Sequence, residues 1–301
     1  MDNCSCFFSY GYFLCKTTNH KIIMNQDKVA ILLSTYNGSL YIKEQIESII
    51  KQDYINWELF IRDDGSTDST IDILKDYCNR YENFHFIIGK ESLGSAKSFL
   101  WLLENVESDY YMFCDQDDVW NTDKIKKSLN SLKKIEIQKV ASLVFSNAIV
   151  VTEDLRIIDN SFWMYNKISP SLLLSNPDYI NVYNSAPGCT MIFNNCLRDI
   201  VLKHTNNNIL MHDWLIMMIV LKFGKVNYIN EPLMLYRQHK NNVVGAKKVT
   251  LYNRLLKIFN IKKLLQKQLL VFNFVNSYSN ISIFKFYKLK LMFNINRYKS
   301  Y

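Results

Sequence analysis

Tyr110–Asp118 reads YYMFCDQDD, five apolar or aromatic residues running straight into a group of carboxylates. The first five have the composition of a buried strand, and Asp115-Gln116-Asp117-Asp118 ends it. The same figure recurs upstream. Val29–Ser34 stops at Thr35-Tyr36-Asn37-Gly38, and Trp57–Ile61 gives way to Asp63-Asp64-Gly65. Phe84–Ile88 is a further strand. Between these runs the apolar spacing becomes helical: Ile42, Ile46, Ile49 and Ile50, then Ile71, Leu74, Tyr77 and Cys78 behind N-cap chemistry at Ser66–Ser69. Gly94-Ser95 opens another helix, with Phe99, Leu102, Leu103 and Val106 on one face. This alternation predicts an α/β fold with a mostly parallel sheet and right-handed crossovers.

All four prolines fall between Pro170 and Pro232. That middle region carries a predicted strand at Thr190–Phe193, a helix from Asp213 to Leu221, and strands at Val226–Ile229 and Leu233–Tyr236. After Gly245 the pattern is helical and basic to the end. The chain has 301 residues, 49% apolar and 21% charged, which excludes a mainly disordered protein. No run reaches the length of about 18 apolar residues that spans a bilayer. Seven cysteines, an odd number over a long chain, do not read as a disulfide framework. They predict a reducing, cytoplasmic setting. Residues 1–25 are set apart as an N-terminal extension. Its first 24 residues have no basic segment ahead of the apolar part, against a signal peptide, and Met24 is read as the natural start.

In an open parallel sheet, ligands bind beyond the carboxyl ends of the strands. Three strands here end in hydroxyls or carboxylates, which predicts one polar crevice. Asp, Asn and Gly also end strands because they favour turns, so any single cluster has a plain structural reading. Asp115 and Asp117 are the most specific pair. Two carboxylates one residue apart after a buried strand suit Mg²⁺ or Mn²⁺, with substrate phosphates completing the shell.

Seven segments over residues 31–246 extend the pattern in order: LLSTYNG, FIRDDGSTDST, LGSAKSF, CDQDDVW, GCTMIF, HDW and YRQHKNNVVGA. Together they resemble the family-2 inverting glycosyltransferases of the GT-A fold, above all the rhamnosyltransferase-like enzymes of bacterial surface polysaccharide and O-antigen synthesis. The resemblance implies a GT-A, Rossmann-like domain over residues 26–246. Ser34, Thr35, Tyr36 and Asn37 match the loop that touches the nucleotide, and Asp64, with Asp63 beside it, the acid that reads base and ribose. Asp115 and Asp117 match the D-x-D that holds the metal against the diphosphate, Asp115 also lying on the donor side. His239 matches a C-terminal His of the metal shell. Asp213 falls where the family places its general base, and Gly188, Cys189 and Thr190 where the acceptor approaches. Lys97, near a helix start, is a further candidate for a donor phosphate.

The chemistry fits these residue types. A leaving nucleoside diphosphate needs its charge neutralised, and the attacking hydroxyl needs one carboxylate to take its proton. The implied donors are dTDP-rhamnose or a UDP-sugar, and the implied acceptor is a lipid-linked saccharide. Asp213 also has a bland reading, as the cap of the helix that begins there. Two rival functions stand beside the transferase. Asp115–Val119 fits the D-x-D-x-[TV] pattern of haloacid-dehalogenase-like phosphohydrolases, although after Asp213 the only acidic residue is Glu231. The other rival is a non-catalytic, membrane-associated scaffold with a decayed transferase domain.

Charge separates the end of the chain from its body. Residues 247–301 hold twelve Lys or Arg and no Asp or Glu, while residues 1–246 carry 24 basic and 28 acidic groups. In this tail, Leu251, Leu255, Ile258 and Leu265 fall near one helical face, with Arg254, Lys257, Lys262 and Lys263 around it. Phe284, Phe286, Tyr287, Leu289, Leu291 and Phe293 are interleaved with Lys285, Lys288 and Lys290. That composition predicts either an anionic membrane surface as partner, with the protein peripheral on the cytoplasmic face, or apolar faces packed on the domain. No nucleic-acid-reading motif accompanies it.

Overall fold

The computed structural model describes residues 27–206, 208–240 and 261–299. The expectations for residues 1–24 and for the tail helix around Leu251–Ile258 lie outside them. Strands β1 (Val29–Thr35), β2 (Trp57–Asp63), β3 (Phe84–Ile88) and β4 (Tyr110–Cys114) alternate with helices α1 (Ile42–Ile50), α2 (Thr70–Arg80) and α3 (Ser95–Asn105). The short β5 (Val119–Trp120) leads into α4 (Lys124–Ile135), β6 (Ser142–Val151) and β7 (Ile157–Asp159). Next come α5 (Phe162–Asn166), α6 (Pro170–Ser175), β8 (Met191–Asn194), α7 (Asn195–His204), α8 (His212–Phe223) and β9 (Lys225–Arg237). Two helices close the chain, α9 (Ile261–Ser279) and α10 (Ile283–Lys299).

Among the described residues the strands form one sheet in the order β3-β2-β1-β4-β8-β6-β9-β5, with β7 beside β6. The first four strands pair in parallel, as the alternation predicts. The second half is mixed: β8 runs antiparallel to both β4 and β6, while β9 runs parallel to β6. The link from β6 to β7 is too short for a crossover helix, so that pair is antiparallel. The two strands expected at Val226–Ile229 and Leu233–Tyr236 are one strand, β9. Pro232 lacks the N–H that a ladder needs, and the register of β9 against β6 shifts there.

The core has two layers, one on each face of the sheet. Ala30 and Leu32 of β1 face α3, α7 and α8, while Val29, Ile31 and Leu33 face α1, α2 and α4. Strands buried on both faces read as continuous apolar runs. The closing helices join the first layer through Phe274, Val275, Ile281, Phe286, Leu289 and Phe293. Phe293 stacks on Tyr183 with ring centroids 3.9 Å apart, and Phe274 meets Trp214 at 5.9 Å. Packing on the domain therefore takes one set of the tail's apolar residues.

Candidate active site

Register brings the three strand-end clusters to one edge. Thr35 pairs with Asp63, and Leu33 with Cys114, so the segments after β1, β2 and β4 leave the sheet side by side. Gln116 ties the first to the third. Its Oε1 accepts from Thr35 Oγ1 at 2.6 Å and from the Tyr36 amide at 2.9 Å, while its Nε2 donates to Tyr36 O. An added Cβ at Gly38 would run into the Gln116 amide and the Thr35 hydroxyl, so a larger residue there would displace this tie. Asn37, at φ 48°, adopts the left-handed region that Asn tolerates better than most residues. Ser34 Oγ donates to Ser98 Oγ at 2.7 Å, and Tyr36 keeps an exposed ring.

The second cluster is largely satisfied within the chain. Asp63 is fully buried and accepts from the amides of Gly65 and Ser66 and from the Ser66 hydroxyl, which is the turn reading of that residue. Asp64 accepts from Arg62, Ser92 Oγ and the amides of Leu93 and Gly94. Burial alone would raise its pKa, but those hydrogen bonds hold it below the usual carboxylate value. Lys97, the third residue of α3, is exposed.

The third cluster meets the end of β9. His239 Nε2 lies 2.6 Å from Asp117 Oδ2, so two residues 122 positions apart are in direct contact. Arg237, only 2% exposed, arranges the meeting. Its amide donates to Asp118 Oδ1 at 3.0 Å, its Nε to Asp117 O at 2.7 Å, and the rest of its guanidinium to Glu153 O and the Glu44 carboxylate of α1. Beside this pair, Asp115, Asp118 and Cys189 hold ligand atoms within 4.8 Å of one another. Asp118 Oδ2 is buried without a hydrogen bond. Burial, then the neighbouring Asp117 charge, pushes the pKa values of Asp115 and Asp118 upward. Carboxylates crowded so closely, with an imidazole at their rim, fit a divalent cation of the Mn²⁺ or Mg²⁺ type.

Lys124 lies under this group, fully buried at the start of α4. Its Nζ donates to Cys189 O at 2.8 Å and lies 4.7 Å from the Trp120 ring centroid. Burial draws its pKa down to about 8, and the charges of Asp118 and Asp115 work against that.

Asp213 is not the cap of α8, because Met211 holds that position. The Asp213 carboxylate accepts from the amides of Trp214 and Gly188, and its charge is felt at Asp115. Burial raises its pKa to about 6, which suits a base working near neutrality. Gly188, Cys189 and Thr190 are all buried: the Gly188 amide bonds Asp213, Cys189 O accepts from Lys124, and Thr190 Oγ1 donates to Pro187 O. A Cβ on Gly188 would stand 2.5 Å from His212 Nε2. His212 itself is wedged between Phe99 and Phe113, at centroid distances of 4.3 and 4.8 Å, and burial keeps it neutral with a pKa of about 3.

The structure thus joins Asp115, Asp117, His239 and Asp213 with the loop at Ser34–Asn37. Gln116, Lys124 and Arg237 were missed by reading the sequence. Each is a polar residue type that normally faces water; Gln116, between Asp115 and Asp117, and Arg237, two positions before His239, carry a positional hint, and Lys124 carries none.

A mixed sheet with a polar loop at the carboxyl end of β1 and acidic ones after β2 and β4 has the layout of a GT-A glycosyltransferase. The family model "Glycosyl transferase family 2" matches residues 30–201, and this chain belongs to that family. The match sets aside the phosphohydrolase reading of Asp115–Val119. The "dTDP-rhamnosyl transferase RfbG" of Shigella flexneri is 31% identical over 226 residues, covering 71% of this chain and 74% of that protein. The "Putative teichuronic acid biosynthesis glycosyltransferase TuaG" of Bacillus subtilis (strain 168) is 37% identical over 101 residues, 34% of this chain and 40% of its own. Two solved structures share the fold. S. aureus TarS 1-349 in complex with UDP-GlcNAc has a TM-score of 0.54 at 19% identity, over 85% of this chain and 73% of that one. The mannosyltransferase PcManGT from Pyrobaculum calidifontis, in complex with GDP-Man and Mn²⁺, has a TM-score of 0.52 at 17% identity, over 72% and 59%.

Proposed function

We propose that this glycosyltransferase moves rhamnose from dTDP-rhamnose to a lipid-linked saccharide, with inversion, in the synthesis of a surface polysaccharide of the O-antigen kind. The contact of Asp117 with His239, set among Asp115, Asp118 and Asp213, carries the reading. Asp117, His239 and Asp115 would hold Mn²⁺ or Mg²⁺, which would supply positive charge against the leaving diphosphate. Ser34–Asn37 border the nucleotide. The amides of Leu93 and Gly94, now bonded to Asp64, mark where the N–H of a base would compete for that carboxylate. Asp213 takes the proton of the acceptor hydroxyl, and the Gly188 and Trp214 amides hold its carboxylate for that transfer. One base acting opposite the leaving group inverts the anomeric carbon. The rhamnosyl donor is supported by the relative from Shigella flexneri.

The test is a panel of nucleotide-sugars offered to purified full-length protein, with and without EDTA. Release of dTDP from dTDP-rhamnose that stops in EDTA is the expected result. Turnover of a UDP-sugar alone would replace the donor, and full activity in EDTA would remove the metal.

A further inference from the structure

Helix α10 has two apolar faces. Phe286, Leu289 and Phe293 point inward and are 1%, 8% and 5% exposed. At 3.6 residues per turn, Phe284, Tyr287, Leu291 and Ile295 line the opposite side, and they are 78%, 46%, 64% and 49% exposed. A helix that docks on a domain by one face normally turns a polar face to water. This one does not. Its antiparallel neighbour α9 meets it through Phe272 on Phe286, with centroids 5.6 Å apart, and adds exposed Leu265, Leu269 and Leu270.

Charge identifies the occupant. Lys285 pairs with Asp178 at 2.9 Å and Lys290 bonds to Gln268, while Lys267 and Lys288 extend from α9 and α10. No Asp or Glu occurs anywhere from residue 247 to 301. A second copy meeting this face symmetrically would set lysines against lysines with no carboxylate on either helix to answer them. A leaflet rich in anionic phospholipid answers both the charge and the apolar stripe. Among the described residues no helix is long and apolar enough to cross a membrane, so this pair would lie along one.

We propose that the outward stripe of α10, with α9 beside it, is a docking surface for anionic phospholipid. The inner face of the same pair reaches the catalytic layer directly, through Phe293 on Tyr183 and Phe274 on Trp214, the residue after Asp213. Docking therefore brings the base-bearing side of the enzyme close to the surface where a lipid-linked acceptor resides. The proposal rests on the helices alone, and its test involves no sugar transfer.

The test is co-sedimentation of the full-length protein with vesicles of phosphatidylcholine, alone or with about one-third phosphatidylglycerol. Wild type should pellet with the anionic vesicles only. The triple variant Phe284→Ser, Leu291→Ser, Ile295→Ser leaves the buried face untouched. It should bind at least about tenfold more weakly at an unchanged melting temperature. Lys267→Gln with Lys288→Gln should cost roughly fivefold for each lysine, and this pair decides the matter if the serine variant unfolds. Equal binding by the variants, equal binding to neutral vesicles, or a wild-type dimer that the triple variant splits in light scattering would each overturn the proposal.

Discussion

Burial lifts the pKa of Asp213 to about 6, and a base works in its ionised form. We expect kcat/KM to be level above that pH and to fall about tenfold per unit below it. Asp213→Asn should leave donor KM near wild type and lower kcat by about 10²–10⁴-fold; a weakened donor KM with kcat intact would make Asp213 a donor ligand. Arg237→Lys keeps the charge but loses the planar fork that spans Asp117, Glu153 and Glu44. It should weaken Mn²⁺ binding about tenfold, read by titration, with His239 and Asp117 both still in place. At this scale the acids were legible because three polar clusters end strands that lie side by side, and His239 through the ordered motifs of the family resemblance, since a strand-end carboxylate or a lone histidine also has a turn or structural use. Lys124 was not, since a lysine at a helix start ordinarily reads as solvated and nothing local marks it as buried.

The tail helices and the link between them bury Phe274, Val275, Ile281, Phe286, Leu289 and Phe293 in the layer that supports α8. Burying a side chain of this size contributes about 1.5–3 kcal/mol. A chain ending at Ala246 should therefore aggregate, or melt roughly 10 °C or more below the full chain in differential scanning fluorimetry. An unchanged melting temperature would show that the helices merely rest on the domain. The first four strands could be read from sequence, because each is a short apolar run punctuated by turn residues and followed by helical spacing. Strand β6 escaped that reading. Its ten residues are almost all buried, with Ser146 and Asn147 in the middle, so neither alternation nor a clean apolar run marks it. The split reading of β9 had a different cause, as Pro232 interrupts a strand that recovers its register beyond the bulge.

At the scale of the molecule, a cation that binds only the folded site raises stability by mass action. Free Mn²⁺ at a hundred times its Kd should stabilise by about 2.7 kcal/mol, or about 5–10 °C in a thermal-shift assay. Asp117→Ala should abolish that shift, and a full shift in this variant would move the metal away from the Asp117–His239 pair. The clasp of Arg237 across to Asp117 and Asp118 also has a temporal side. Its halves leave the ribosome 120 residues apart, with the central strands β6 and β8 made in between. At about 5–20 residues per second, several seconds pass in which the nucleotide-side loops exist and the histidine does not. A nascent chain can thus shape the proposed donor crevice early, yet it stays without the His239 arm of the proposed metal site until β9 slots between β6 and β5. Synthesis itself sets that order, and a fragment released before β9 would lack the Asp117–His239 contact.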